Sequence, residues 1–196
     1  MSTLEVVAAT FGAIAVYLSA RENIWSWPTA IVNVALYTIV FYQSRLYADM
    51  GLQVVYLVLS IYGWYNWLHG GALRTTLHVS RASLRTLALL AVIVAIGSFA
   101  LGNTLATRTN AVFPYLDSTL TVTSLVAQWL MTRKVLENWV LWIVVDIAYV
   151  PMFLSRGLPA TALLYAVFLV LAVLGYITWR RSYLTHRATR GLVTAA

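Results

Sequence analysis

Three runs of this chain set hydrogen-bonding and aromatic side chains at helical spacing among aliphatic ones. In "LYADMGLQVVYLVLSIYGWYNW" (46–67), Asp49, Gln53, Tyr56, Ser60, Gly63 and Trp67 recur in steps of four and three, with Trp64 beside them. "YLDSTLTVTSLVAQW" (115–129) puts Asp117, Thr121, Ser124 and Gln128 on one face, and "NWVLWIVVDIAY" (138–149) does so with Asn138, Trp142, Asp146 and Tyr149. Asn33 and Tyr37 add a fourth contribution from "WPTAIVNVALY" (27–37). Amides and hydroxyls at such positions can grip the hydroxyls of a solute. A flat indole can stack on a heteroaromatic ring and attract a cation to its π face. Of six acidic residues, Glu5, Glu22, Asp49, Asp117 and Glu137 lie at or near predicted helix ends, and Asp146 alone lies mid-run. A carboxylate there is protonated, hydrogen-bonded to polar neighbours, or the partner of a cationic ligand. The set suits a small flat solute with several hydroxyls, cationic if Asp146 is its partner.

Other chemistries lack their residues. There is no Cys, and His69, His78 and His186 fall in a loop or the tail, so no metal centre is expected. No "GxxxxGK[ST]" is present to bind the phosphates of ATP, no cofactor is implied, and no carboxylate or His cluster marks an enzyme. The net charge of +7 sits in short connections and not along one face, which speaks against nucleic acid.

The elements that must position these residues follow from composition. Hydrophobic residues make up 61% of the chain and charged ones 10%, with a mean hydropathy of +0.80, against about 25% charged in soluble domains. One aqueous core cannot hide so much apolar surface, so the lipid bilayer is the expected solvent. About 20 apolar residues cross a bilayer as a helix, and seven such helices are predicted: 3–20, 24–43, 47–67, 85–103, 115–132, 136–155 and 158–179. The first lacks the basic flank and cleavage site of a signal peptide and is expected to be a retained span. With the N-terminus outside and the C-terminus in the cytoplasm, 10 of the 13 basic residues fall inside, leaving Arg45, Arg108 and Arg156 outside, as the positive-inside bias requires. Trp25, Trp139 and Trp179 are expected at the membrane interfaces, and Trp27, Trp64 and Trp142 in the lumen.

The chain also repeats itself. Moved by 112 residues, the stripe of the third helix falls on Thr161, Tyr165, Phe168, Ala172, Gly175 and Trp179, and "GWYNW" (63–67) meets "GYITW" (175–179). "SRLY" (44–47) faces "SRGL" (155–158) at 111, and "ENIWSW" (22–27) faces "ENWVLW" (137–142) at 115, which implies a short indel. Two three-helix units joined by an inverting fourth helix, "LRTLALLAVIVAIGSFALGN", make a parallel 3+1+3 repeat, a plan that places the substrate at the repeat interface. The expected divisions are a first bundle (1–67), a loop and linker helix (68–114), a second bundle (115–179) and a basic cytoplasmic tail (180–196).

"LYADMGLQ", "YGWYNW", "YLDS", "LMTRK" followed by "ENWVLWIVVD", and "LLYAVFLVLAVLGY" together resemble, in order and spacing, the PnuC-type vitamin transporters over nearly the whole chain. The resemblance implies a fold like the full-length SWEET sugar transporters. It also implies nicotinamide riboside as cargo, entering by facilitated diffusion and trapped by cytoplasmic phosphorylation. The family's Gln in the third helix corresponds to Gln53, and its "ENWxxW" segment to Glu137, Asn138, Trp139 and Trp142. The family pattern often has Asn seven residues after that Gln, where this chain has Ser60, so thiamine and riboflavin stay open as cargo.

The sequence therefore predicts an all-α, multi-pass inner-membrane carrier with seven transmembrane helices, its partners a small vitamin and the bilayer. Alternating access would come from rocking one bundle against the other. Hydrogen bonds are expected from Gln53, Ser60 and Gln128, stacking from Trp64 and Trp142, and polar anchoring from Asn33 and Asp146. Tyr37, Tyr56, Thr121, Ser124, Asn138 and Tyr149 complete the expected lining. A homo-oligomer is left open. A purely structural membrane scaffold is the rival from another class, and it would not need polar stripes converging from several helices.

Overall fold

Among the described residues, apolar runs punctuated by Pro, Ser and charged turns fold into seven α-helices. They are α1 (Thr3–Ala20), α2 (Ser26–Gln43), α3 (Tyr47–His69), α4 (Leu84–Arg108), α5 (Pro114–Thr132), α6 (Asn138–Ser155) and α7 (Pro159–Val193), with one 3-10 turn at Ala72–Arg74. The computed structural model describes residues 3–43, 45, 47–109, 113–155, 157 and 159–193. Ser44, Leu46 and Leu158 of the "SRLY" and "SRGL" segments, and Arg156, lie outside the described residues. Local chemistry sets several helix starts. Pro114 opens α5 and Pro159 opens α7, where the missing N–H is one the helix leaves unpaired anyway. Ser83 caps α4 by accepting from the Thr86 N–H at 3.1 Å.

Among the described residues, α1, α4, α6 and the Thr161–Thr189 stretch of α7 are long and apolar enough to cross a membrane. Seven spans are expected from the sequence; seven helices are present among the described residues, and four of them pass this test of length and composition. α2, α3 and α5 fall short because they carry Asn33, Gln53, Ser124, Gln128 and their companions, which dilute the apolar content. The tail also departs from expectation: α7 runs unbroken for 35 residues, through "RRSYLTHRATR". Between Gly175 and Gly191 there is no helix breaker, so nothing ends the helix where the basic residues begin.

Packing falls into two sets. α2 lies against α1 and α3, α6 lies against α5 and α7, and α4 packs on α5. Across the sets, α1 meets α7 and α3 meets α5. The features that match do so at one offset. α2 and α6 each have 18 residues and start 112 apart, at Ser26 and Asn138. The turns before them place Glu22 (φ 55°) and Lys134 (φ 54°) in the left-handed region, and the turns after them do the same with Arg45 (φ 57°) and Gly157 (φ 70°). The Asn23 N–H bonds the Leu18 carbonyl at 2.9 Å, and the Val135 N–H bonds the Leu130 carbonyl at 3.1 Å. The expected offset of 115 around "ENIWSW" is therefore replaced by 112. The left-handed turn residue pairs Glu22 with Lys134, not with Glu137.

One end of the molecule gathers the turns after α1, α3 and α5 with the far part of α7. Lys134 bonds Glu22 at 2.9 Å, Ser80 bridges the backbone of Lys134 and Leu136, and the His78 and His186 rings lie 4.0 Å apart.

Candidate functional site

Near that end, four indoles join the two sets of helices. Trp27 meets Trp67 edge-on with ring centroids 5.3 Å apart, Trp67 lies 5.6 Å from Trp179, and Trp179 meets Trp139 edge-on at 5.5 Å. All four are buried, Trp139 at 1% and Trp179 at 0% exposed. Two indole hydrogen bonds cross between the sets: Trp67 Nε1 donates to the Met131 carbonyl at 3.0 Å, and Trp179 Nε1 donates to the Ser19 carbonyl at 2.9 Å. Donors and acceptors are each 112 residues apart, so each set of helices gives an indole to the other. Gly63 lies under the Trp27 ring and Gly175 under the Trp139 ring, with no room for a side chain at either.

This layer corrects three expectations. Trp139 and Trp179 are core residues and not interfacial ones, and Trp27 packs into the same cluster and does not open into a lumen. Trp25, 65% exposed, stays at the surface. The indole Nε1 atoms of Trp27 and Trp139, with Ser26 Oγ and Asn138 Oδ1, have no protein partner among the described residues. They too form pairs 112 apart.

Toward the other end, rings from α6 and α7 build a second layer. Tyr149 stacks on Phe153 at 5.4 Å, and Tyr165 lies 4.7 Å from Tyr149, 5.1 Å from Phe153 and 5.8 Å from Phe168. Tyr165 is also within electrostatic reach of Asp146, Tyr56 and Tyr37. Tyr56 is in hydrogen-bonding contact with Ser124. One carboxylate and four phenols thus converge from α2, α3, α6 and α7, with a serine from α5. Asp146 is 3% exposed, and among the described residues no cation pairs with it. Pro151, inside α6, denies the Ile147 carbonyl its helical donor just past Asp146.

The structure therefore brings together Tyr37, Tyr56, Ser124, Asp146 and Tyr149. Ser60 is buried on α3, while Gln53, Thr121 and Gln128 are half-buried. Trp142, also half-buried, packs against both apolar clusters, the Trp layer and the group around Leu120, Val145 and Met152. Trp64 is 39% exposed at the edge of its helix face. Two residues are engaged elsewhere. Asn33 donates its amide to the Ala8 carbonyl of α1 at 2.7 Å, holding α1 to α2. Asn138 donates to the Val135 carbonyl at 2.6 Å, closing the turn that starts α6. Tyr165 is absent from the lining expected from sequence, although the 112-residue shift places it opposite Gln53.

The chain matches the sequence model of the nicotinamide mononucleotide transporter family over residues 2–181. It belongs to that family. The nicotinamide riboside transporter PnuC of Escherichia coli (strain K12) is 30% identical over 211 residues, covering 93% of this chain and 87% of that protein. The riboflavin/roseoflavin transporter RibM of Streptomyces davaonensis is 25% identical, covering 89% and 83%. A crystal structure of the vitamin B3 transporter PnuC superposes with a TM-score of 0.73 at 28% identity, covering 93% and 83%. The family is one of transporters, so this chain is a multi-pass membrane carrier, and its polar stripes belong to a transport protein.

Proposed function

We propose that the protein takes up nicotinamide riboside across the inner membrane by facilitated diffusion, the cargo being trapped by phosphorylation in the cytoplasm. The observation that carries this reading is Asp146, buried without a cationic partner among the described residues and within reach of Tyr165, a phenol that in turn interacts with Tyr149, Tyr56 and Tyr37 of both helix sets. A carboxylate in lipid needs a counter-charge, and a positively charged aromatic ring supplies one while stacking on the phenols. The riboflavin carrier among its relatives gives the second reading, a neutral flat vitamin.

Charge separates the candidates. Nicotinamide mononucleotide adds a phosphate, and among the described residues the buried ammonium of Lys134 is already held by Glu22. In a thermal-shift series, nicotinamide riboside should stabilise the protein, by about 2.7 kcal/mol at a hundredfold excess over its Kd. At equal concentration its phosphate ester should give far less. Equal or greater stabilisation by the ester would overturn the charge argument, and stabilisation by riboflavin alone would favour the second reading. Thiamine, cationic as well, completes the panel.

The recurring 112-residue offset in helix starts, left-handed turns and crossed indole bonds supports a parallel 3+1+3 plan of the SWEET kind. In it 1–67 and 115–179 are bundles related by an axis near the membrane normal, with all seven helices spanning. Rocking of one bundle against the other would alternate access. The gathering of basic turns at one end supports an external N-terminus and a cytoplasmic C-terminus. Cysteines placed singly at Thr3 and Thr189 in this Cys-free chain test this directly. An impermeant maleimide added to intact cells should label the first and spare the second, and the reverse pattern would invert the topology.

A further inference from the structure

We propose that Glu22 and Lys134 form a latch across the two halves that holds the cytoplasmic end of the path closed. The inference rests on the rocking mechanism and orientation proposed above. Lys134 is a buried cation, its side chain 10% exposed, paired at 2.9 Å with a Glu22 side chain that is 20% exposed. The two residues occupy equivalent places, 112 apart, in the turns that start α6 and α2, and both hold a left-handed backbone that disfavours residues other than glycine. Equivalent positions of two related halves meet only where the halves face each other across their common axis. A bond made there breaks when that end opens.

The same ammonium ties down more than Glu22. Nζ donates to the Leu77 carbonyl at 3.1 Å and lies 4.8 Å from the centroid of Trp67, whose indole is one of the two that donate across the sets. Leu77 starts a strap that belongs to neither bundle. Its N–H bonds the Trp67 carbonyl at 3.0 Å. Further along, Arg81 Nε and the Ala82 N–H bond the two oxygens of Glu137 at 2.8 and 3.0 Å. The strap is thus tied to α3 at one end and to the α5–α6 turn at the other, with Lys134 between them. Separation of the halves would leave this buried ammonium without its carboxylate, which makes the closed state the one the pair favours.

The test uses Ala172→Cys as reporter. Ala172 is 1% exposed within the Trp layer, and the chain has no other Cys. Labelling by an impermeant maleimide is measured from the cytoplasmic side in inside-out vesicles, with and without nicotinamide riboside. Glu22→Gln or Lys134→Met should raise the labelling rate about threefold to tenfold, the range expected for loss of one partly buried charge-assisted bond. The exchange Glu22→Lys with Lys134→Glu should bring the rate back toward the parent's. A variant that merely folds poorly would not be rescued by a second charge change. If both single variants label at the parent rate while nicotinamide riboside still alters labelling, the latch is wrong and the carrier reading stands. If the exchange labels as fast as the singles, the pair is not the element that holds the end closed. If cargo alters labelling in no protein and none takes it up, the transport reading itself fails.

Discussion

Asp146→Asn should weaken binding of a cationic vitamin about tenfold to 150-fold, the value of a hydrogen bond to a charged group, while leaving the empty protein no less stable. Asn has nearly the shape of Asp, so packing around the 3%-exposed side chain is kept. What changes is the charge. Without a cationic partner among the described residues, a buried carboxylate destabilises the empty carrier, because burying a charge costs more than burying a hydrogen-bonded amide. The expected signature is therefore a higher melting temperature without ligand and a lost shift with it. A carboxylate that only braces helices would behave in the opposite way: the melt would drop and the affinity of the surviving protein would hold. Neutral riboflavin, if it binds, should be nearly indifferent to the change. Calorimetric titration and a melt on the same purified variant supply both numbers.

Gly63→Ala and Gly175→Ala should each destabilise the fold by about 1–3 kcal/mol, as overpacking of a filled core does. A Cβ at Gly175 would stand 2.6 Å from Cε2 of Trp139, and one at Gly63 would run into the far edge of the Trp27 ring. Neither indole can swing away cheaply. Both are rigid and buried, and each belongs to the run of four rings that joins the two halves. Gly51 is the control. It sits in the same helix as Gly63, an added Cβ there meets nothing within 4 Å, and Gly51→Ala should be neutral or stabilising by up to about 1 kcal/mol. Trp27→Phe combined with Gly63→Ala should recover part of the loss, since the smaller ring vacates the space the new methyl needs. Unfolding of the parent, Trp27→Phe, Gly63→Ala and the double variant in one detergent gives the cycle. Additive losses would mean that the ring and the methyl do not meet.

How much could be foreseen depended on whether the relevant partner was local. The helix starts of α5 and α7 follow from Pro114 and Pro159, residues that act on their own backbone. The placement of Trp139 and Trp179 does not follow, because indoles are enriched both at membrane interfaces and in tight cores, and nothing within a few residues separates the two. Asn33 reads as a lining residue from its helix face, yet its amide is taken by Ala8, 25 residues earlier. The pairing of "ENIWSW" with "ENWVLW" slips by three residues because shared letters outweigh turn geometry. Three residues are close to one turn of helix, so the apolar pattern scarcely resists the error. The convergence of Tyr56, Asp146 and Tyr165 was half-visible: the stripes were legible separately, and the 112-residue shift pointed to Tyr165 without saying that it faces Asp146.

The crossed indole bonds bear on how the protein is born. Trp67 takes its acceptor from Met131, 64 residues later, and Ser19 receives its donor from Trp179, 160 residues later. At ribosomal speeds of about 5–20 residues per second, the end of α1 waits roughly ten to thirty seconds in the bilayer before its partner is even synthesised. Trp67 lacks its acceptor for only about 3–13 seconds of synthesis, while the Ser19 carbonyl holds just the turn bond from the Glu22 N–H until Trp179 is made. The seam between the two sets is therefore completed only when the last helix arrives.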